Sequence, residues 1–375
     1  MSKAFSPSPL FERVERARRR KHKFKDTHIT LAHGSGGRAM HELVEGLFLE
    51  YLRNPLLEAL EDQAVFELGG SEATGNGKQA TRIAYTTDSY VVDPIFFPGG
   101  DIGKLAVHGT INDLVMSGAR PLYLSAGFIL EEGFPVEDLR RILASMRDAA
   151  DEAGVAVVTG DTKVVQKGSA DKLFINTSGI GVIESPVQLA ATRAEIGDKV
   201  IVSGNIGDHG TAIMIARGEL ELETDIESDT AALNFLVADM LDEARRAGAL
   251  EAIHCLRDPT RGGLATTLNE FAMSSELCIE INEALIPVRE EVKGACEILG
   301  LDPLYVANEG KLVALVSDVL ADRMIERMKQ NQYGTNACII GEVKAEPRGI
   351  VAMRTGFGGT RIVDMLAGEQ LPRIC

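Results

Sequence analysis

Apolar side chains recur along this chain with two alternating periods, and the alternation predicts strands and helices in turn. After HGSGG at 33–37, Met40, Leu43, Val44, Leu47, Phe48, Tyr51 and Leu52 fall at i, i+3, i+4, i+7 spacing, which predicts an amphipathic helix. A short β-type run at 83–87 predicts a strand. An apolar stretch at 102–117 predicts a helix, closed by Gly118 and Pro121. A strand at 122–130 and a helix at 136–152 follow, the helix turning Leu139, Ile142, Leu143 and Met146 inward. Residues 155–158 read as a short buried strand and 173–183 as a longer one. A polar stretch at 192–198 then breaks the pattern. Beyond it come a strand at 199–202, a turn in GNIGDHG at 204–210, helices at about 230–248 and 260–275, and further alternation to Val343.

This order predicts an α/β chain in two domains, the first ending near residue 190. No repeat of solenoid period is present. Residues 355–375 open on a Gly-rich turn, end in LPRIC and contain no element long enough to pack firmly, so a tail is expected there. Residues 1–27 hold Arg18, Arg19, Arg20, Lys21, Lys23 and Lys25 and little that is apolar, which predicts a solvated basic extension.

Composition narrows the function. Hydrophobic residues make up 45%, enough for two cores, while 38 glycines and 5% aromatics suit many short α/β turns. A net charge of −16 repels nucleic acid and anionic membranes. It also means that any phosphate ligand needs local cations or backbone N–H groups. No apolar run reaches the about 20 residues of a membrane span, and the N-terminus has no signal-peptide core. The five cysteines are odd in number and none has C-x-x-C spacing, so neither a disulfide framework nor a zinc knuckle is expected, and a reducing cytoplasmic setting fits.

The candidate chemistry lies in loops and element ends. HGSGG before a helix leaves backbone N–H groups free for an anion, although a plain helix entry reads the same way. No P-loop and no G-x-G-x-x-G after a strand is present. Asp88 (TTDSY) and Asp161 (TGDTK) are expected just after strands, Asp258 (RDPTRGG) at the start of a helix and Asp113 (INDLV) on an otherwise apolar helix face, while Asp62 stands in EDQAVF. Each alone reads equally as a cap or turn residue. Together they set carboxylates where α/β sites form, with the hard oxygen donors that suit Mg²⁺ on phosphates. Lys163 and Glu309 (ANEGK) read as a surface lysine and a turn glutamate, or as partners of those acids. Four cysteines sit in apolar surroundings, whereas Cys375 ends the chain, where an exposed thiol is a liability unless it is used.

TTDSYVVDPIFFPGGDIGKLAVHGTINDLVMSGARP, TGDTKVV, RDPTRGGLA, VANEGKL and the terminal PRIC resemble the HypE family of hydrogenase maturation factors, of the PurM-like (aminoimidazole ribonucleotide synthetase-related) superfamily. The resemblance runs from about His33 to Cys375. It implies an N-terminal ATP-binding domain at 28–190 that pairs with its copy in a homodimer-spanning β-barrel. A C-terminal α/β domain at 191–354 and a mobile tail at 355–375 complete the expected plan. It also implies that a HypF-like carbamoyltransferase loads Cys375. The chain then dehydrates the thiocarboxamide to a thiocyanate with ATP and Mg²⁺, and the cyano group passes to iron on a HypC–HypD-like complex. Carried over by motif, Asp62, Asp88, Asp113 and Asp258 bind metal and nucleotide, joined by Asn112 and Asp161. Gly34, Gly36 and Gly37 close over the nucleotide, and Lys163 and Glu309 stabilise charge and remove the proton. Two rivals remain at this level. One is a small-molecule kinase or synthetase of the selenophosphate synthetase type, whose reactive residue would lie by the N-terminal Gly-rich loop. The other is a non-enzymatic scaffold presenting Cys375 to a metal.

Overall fold

A computed structural model describes residues 24–69, 80–218 and 224–366. Most of the basic extension and Cys375 lie outside the described residues. The described residues build two large sheets and one two-stranded ribbon. The first half supplies β1 (Ala64–Leu68), β2 (Thr81–Tyr90), the short pair β3 (Phe96–Phe97) and β4 (Gly100–Asp101), β5 (Ala119–Glu131), β6 (Ala156–Val165) and β7 (Leu173–Ile183). Five of these form one sheet in the order β1-β2-β7-β5-β6, antiparallel except for β5 with β6. The second half supplies β8 (Lys199–Val202), β9 (Ile253–Arg257), β10 (Cys278–Asn282), β11 (Val313–Val316), β12 (Cys338–Lys344), β13 (Val351–Arg354) and β14 (Thr360–Val363). Their order is β14-β13-β10-β12-β8-β11-β9. This mixed α/β architecture agrees with the PurM-like expectation.

The helix Ile102–Met116 joins the two halves. Asp101 caps it, its Oδ1 accepting from the N–H of Gly103 at 2.7 Å and of Lys104 at 3.0 Å. The helix is apolar on nearly every side and almost wholly buried, as a helix between two layers must be. Its glycines are there for contact. A Cβ on Gly109 would stand 2.3 Å from the Tyr90 hydroxyl, and one on Gly103 would stand 2.6 Å from the Ile142 carbonyl oxygen. One apolar core runs from Leu105, Ile111 and Ile142 through Leu233, Leu236 and Met240 to Leu256 and Ala314 of the second sheet. A second core, under the helix Gly263–Ser275, fills the opposite face of that sheet with Leu264, Phe271, Ile279 and Val351.

Two expectations are corrected. The predicted short buried strand at 155–158 is instead β6, Ala156–Val165, exposed along most of its length as the outer edge of the first sheet. A Val-rich run looks buried by composition, but burial depends on what lies beyond the edge. The expected helix over 40–52 is broken by a π-turn at Val44–Phe48 and leaves Phe48, Tyr51 and Leu52 exposed, with Leu43 and Leu49 the apolar side chains it buries. The five-stranded sheet is open within this one chain, as half of a barrel shared by two copies would be, and the described residues contain no closed barrel. One face packs on the helix Ile102–Met116, and the other turns Tyr85, Tyr123 and Ile129 outward.

Candidate active site

The cleft between the two halves gathers four of the predicted acids. Asp62 stands just before β1, Asp88 near the end of β2, Asp113 on the helix Ile102–Met116, and Asp258 directly after β9. They line one cleft of about 320 Å³ together with Gly36, Arg257, Arg261 and Glu270. Thr86 ties the strand to both neighbours, its one hydroxyl proton shared between Asp113 Oδ2 and the Asp62 carbonyl oxygen, each 2.9 Å away. Asp88 lies inside β2 rather than after it. Asp258 lies five residues ahead of the next helix, which begins at Gly263.

The glycine-rich loop leans on the second half of the chain. Gly36 has φ +75°, and a Cβ there would fall 2.5 Å from the Arg261 carbonyl oxygen. A Cβ on Gly37 would meet the Leu366 carbonyl oxygen at 2.5 Å, and the Arg38 N–H donates to that same oxygen at 2.9 Å. Gly34 has open space around it. The HGSGG glycines therefore admit two backbones, RDPTRGG and the segment that leads into the C-terminal tail.

Charge in the cleft is lopsided. Arg257 is buried, its Nη2 donating to Glu61 Oε2 at 2.8 Å and to the Leu60 carbonyl at 3.0 Å. Its Nη1 donates to Glu270, and its Nε lies 3.5 Å from Asp62. His41 Nε2 contacts Glu270 at 3.1 Å. Burial would raise Glu270, but Arg257 and His41 outweigh it and hold the carboxyl below its usual range. The other acids outnumber their cations. Burial pushes Asp62 well above the ordinary range, with Asp258 adding to it against the pull of Arg257. Burial and the charges of Asp258, Asp88 and Asp62 do the same to Asp113, and burial lifts Asp258 to about 7. Such a cleft takes up protons or cations.

The donor set fits a hard cation. Among the described residues, no three His, Cys, Asp or Glu are gathered closely enough to cage a metal alone. A Mg²⁺ held by one or two carboxylates and by phosphate oxygens needs no such cage.

Glu309 also faces this charge. It is 4% exposed, in the loop between the turn Pro303–Tyr305 and β11. Burial raises it well above the usual range, helped by Asp258, Asp88 and Asp229 and opposed by Arg261.

Three predicted residues are not brought to the cleft. Asp161 and Lys163 sit within β6, paired with each other, with side chains 72% and 68% exposed. By register Asp161 lies opposite Gly127, which lies opposite Asn176, on the open face of the sheet. Asp88, on the row of the buried Thr177, belongs to the helix-covered face. Lys163 is thus not the neighbour of Glu309, and Arg261 is the cation whose charge reaches it. Asn112 is buried with both N–H donors spent on the carbonyls of Ala231 (3.0 Å) and Glu309 (3.3 Å). Cys375 lies outside the described residues. Sequence reasoning singled out none of Arg257, Glu61, Glu270 or His41. The only signal was Arg257 standing before Asp258 in RDPTRGG, since an acid cluster needs a cation.

Two family models match this chain: AIR synthase related protein, N-terminal domain, over residues 60–183, and the corresponding C-terminal domain over residues 195–354. The fold and cleft thus define an AIR synthase-related protein. Within that class, the carbamoyl dehydratase HypE of Azotobacter vinelandii is 54% identical over 347 residues, covering 92% of this chain and 97% of its own. A solved HypE in complex with ATP shares 49% identity at a TM-score of 0.74, covering 93% of this chain and 100% of that one. A HypE from a HypE–HypF complex shares 49% at a TM-score of 0.78, covering 86% and 99%. The chain belongs to the HypE family of carbamoyl dehydratases.

Proposed function

We propose that this protein is an ATP-dependent carbamoyl dehydratase that acts on its own C-terminal cysteine and supplies cyanide for [NiFe]-hydrogenase maturation. One observation carries the reading: the Leu366 backbone packs against Gly37 and accepts the Arg38 N–H, next to Gly36 on the wall of the acid cleft. Residues 367–375 span at most about 30 Å when extended, so Cys375 is tethered within reach of the cleft. A tethered group meets the nucleotide at high effective concentration.

A HypF-like transferase loads the thiol as S–C(=O)–NH₂. The amide oxygen attacks the γ-phosphorus of ATP, and ADP leaves. Loss of both N–H protons with departure of phosphate then gives S–C≡N. Within the chain, Asp62, Asp88, Asp113 and Asp258 would hold the nucleotide's Mg²⁺, which neutralises phosphate charge when bound. Gly36 and Gly37 bring backbone close to that site. Arg261 offsets negative charge beside Glu309, and Glu309 takes a proton from nitrogen. The thiocyanate passes to iron on a HypC–HypD-like complex.

A homodimer is proposed through the open face and β6 edge of the first sheet, the surface that bears Asp161 and Lys163. Unpaired strand edges with exposed apolar residues invite a second copy. No helix of the described residues is long and apolar enough to cross a membrane. The test is the intact mass of the C-terminal peptide. With carbamoyl donor and ATP, it should gain a carboxamide and then lose water. A carboxamide that persists with ATP and Mg²⁺ present would sink the proposal.

A further inference from the structure

We propose that Asn112 and Asp229 are positioning residues that hold Glu309 at the reacting nitrogen, and that Asn112 is not a nucleotide ligand. The inference rests on the reading of Glu309 as the base. Glu309 sits in a loop, where a side chain is ordinarily the least well placed. Here the loop backbone is pinned at both peptide groups of that residue. The Glu309 N–H donates to Asp229 Oδ1 at 3.0 Å, and the Glu309 carbonyl accepts from Asn112 Nδ2 at 3.3 Å.

Both clamps are buried and held in turn. Asn112 is 1% exposed; its second N–H goes to the Ala231 carbonyl at 3.0 Å and its Oδ1 accepts from the Leu233 N–H at 2.9 Å. The Asp229 side chain is 4% exposed, with Oδ2 lying 3.0 Å from Lys311 Nζ. Asn112 comes from the helix Ile102–Met116 and Glu309 from the second half of the chain, so the clamp also ties the halves together across the cleft. Gly310 allows the approach, because a Cβ there would lie 1.8 Å from the Asp229 carbonyl oxygen. On the other side, Asn308 Nδ2 donates to the Pro259 carbonyl at 2.8 Å, next to Asp258. The base is thus fixed relative to the acids by backbone hydrogen bonds. A misplacement of about 1 Å can cost on the order of a hundredfold in rate.

The test uses the full-length protein preloaded with the carbamoyl group. For N112A and D229A, single-turnover conversion at saturating ATP should fall at least about tenfold. ATP affinity by calorimetry should stay within about twofold, and loading by the transferase should be unchanged. The deciding readout is a double-mutant cycle. N112A/E309Q should be no slower than E309Q, whereas a general structural defect would add to it. A further rate loss in the double variant, or a tenfold or greater loss of ATP affinity in N112A, overturns the proposal. If N112A does not fold, D229A in the same cycle decides. Should E309Q convert normally, the base assignment falls and this inference with it, while dehydration itself stands. A wild-type protein that never loses water would sink both.

Discussion

Arg257 Nη2 lies 2.8 Å from Glu61 Oε2, joining the last residue of β9 to the loop that leads into β1. Glu61 in turn accepts the N–H of Ala191 at 3.0 Å, in the link between the two sheets. One guanidinium thus gathers the first sheet, the linker, the helix Gly263–Ser275 through Glu270, and Asp62. Burial works against its charge, and Asp62, Glu270 and Glu61 outweigh that cost.

Arg257→Met should therefore strand three carboxylates. Removing one partner of a buried ion pair costs about 3–5 kcal/mol. The expected result is a loss of that size in urea unfolding, with weaker ATP binding by calorimetry. An unchanged midpoint would mean that water replaces the guanidinium without penalty.

Cys375→Ala should leave melting temperature and ATP affinity as they are and abolish thiocyanate formation, because the thiol carries the substrate. The check is hydrogenase activity in a complemented strain together with peptide mass. Continued maturation would rule out the carrier role.

Glu309→Gln should accept the carbamoyl group and bind ATP normally, yet convert about a hundredfold more slowly, the usual scale of lost acid–base catalysis. Burial favours the protonated form of Glu309, so the wild-type rate should climb with pH as the carboxyl ionises. Single-turnover profiles should show that climb in the wild type and a flat, slow line in the variant.

Asp208, first residue of the helix Asp208–Ala216, links stability to pH. Burial and Asp229 raise it to about 6, against Lys311 and Arg289. Unfolded, it titrates near about 3.9. Between those values the folded state keeps a proton that the unfolded state has released, so stability falls as pH rises from about 4 to about 6. Asp208→Asn should flatten that fall and gain about 1–3 kcal/mol at pH 7. Parallel denaturation curves for the two proteins would count against this linkage.

Val164 is 67% exposed on the edge strand β6. Val164→Lys should shift a dimer to monomer in sedimentation analysis by setting like charges on a pairing edge. A dimer that persists unchanged would move the interface away from β6.

Much of the site was legible because its residues stand in short, dense motifs. TTDSY, INDLV and RDPTRGG each deliver one acid, although Asp88 lies inside β2 and Asp113 in the last turn of the helix Ile102–Met116 rather than at a strand end or a helix start. HGSGG read as a helix entry with backbone N–H groups free for an anion, whereas the structure sets Gly36 and Gly37 against the backbones of Arg261 and Leu366, which are remote in sequence. TGDTK misled, since its acid and lysine look like those of the other motifs. Period-2 alternation tells that two faces differ, but not which face a helix will cover.

The sequence by itself determined the α/β alternation, the apolar helix that begins at Ile102, the candidate acids (Asp62, Asp88, Asp113 and Asp258, with Asp161 among them) and the terminal cysteine, because each depends on local spacing or residue type. Only the tertiary structure decided that Arg257 is the cation among those acids and that Asn112 grips the Glu309 backbone. It alone set Asp161 and Lys163 across the sheet from Asp88. These are relations between segments far apart in the chain, fixed by which surfaces pack together and how much water they exclude.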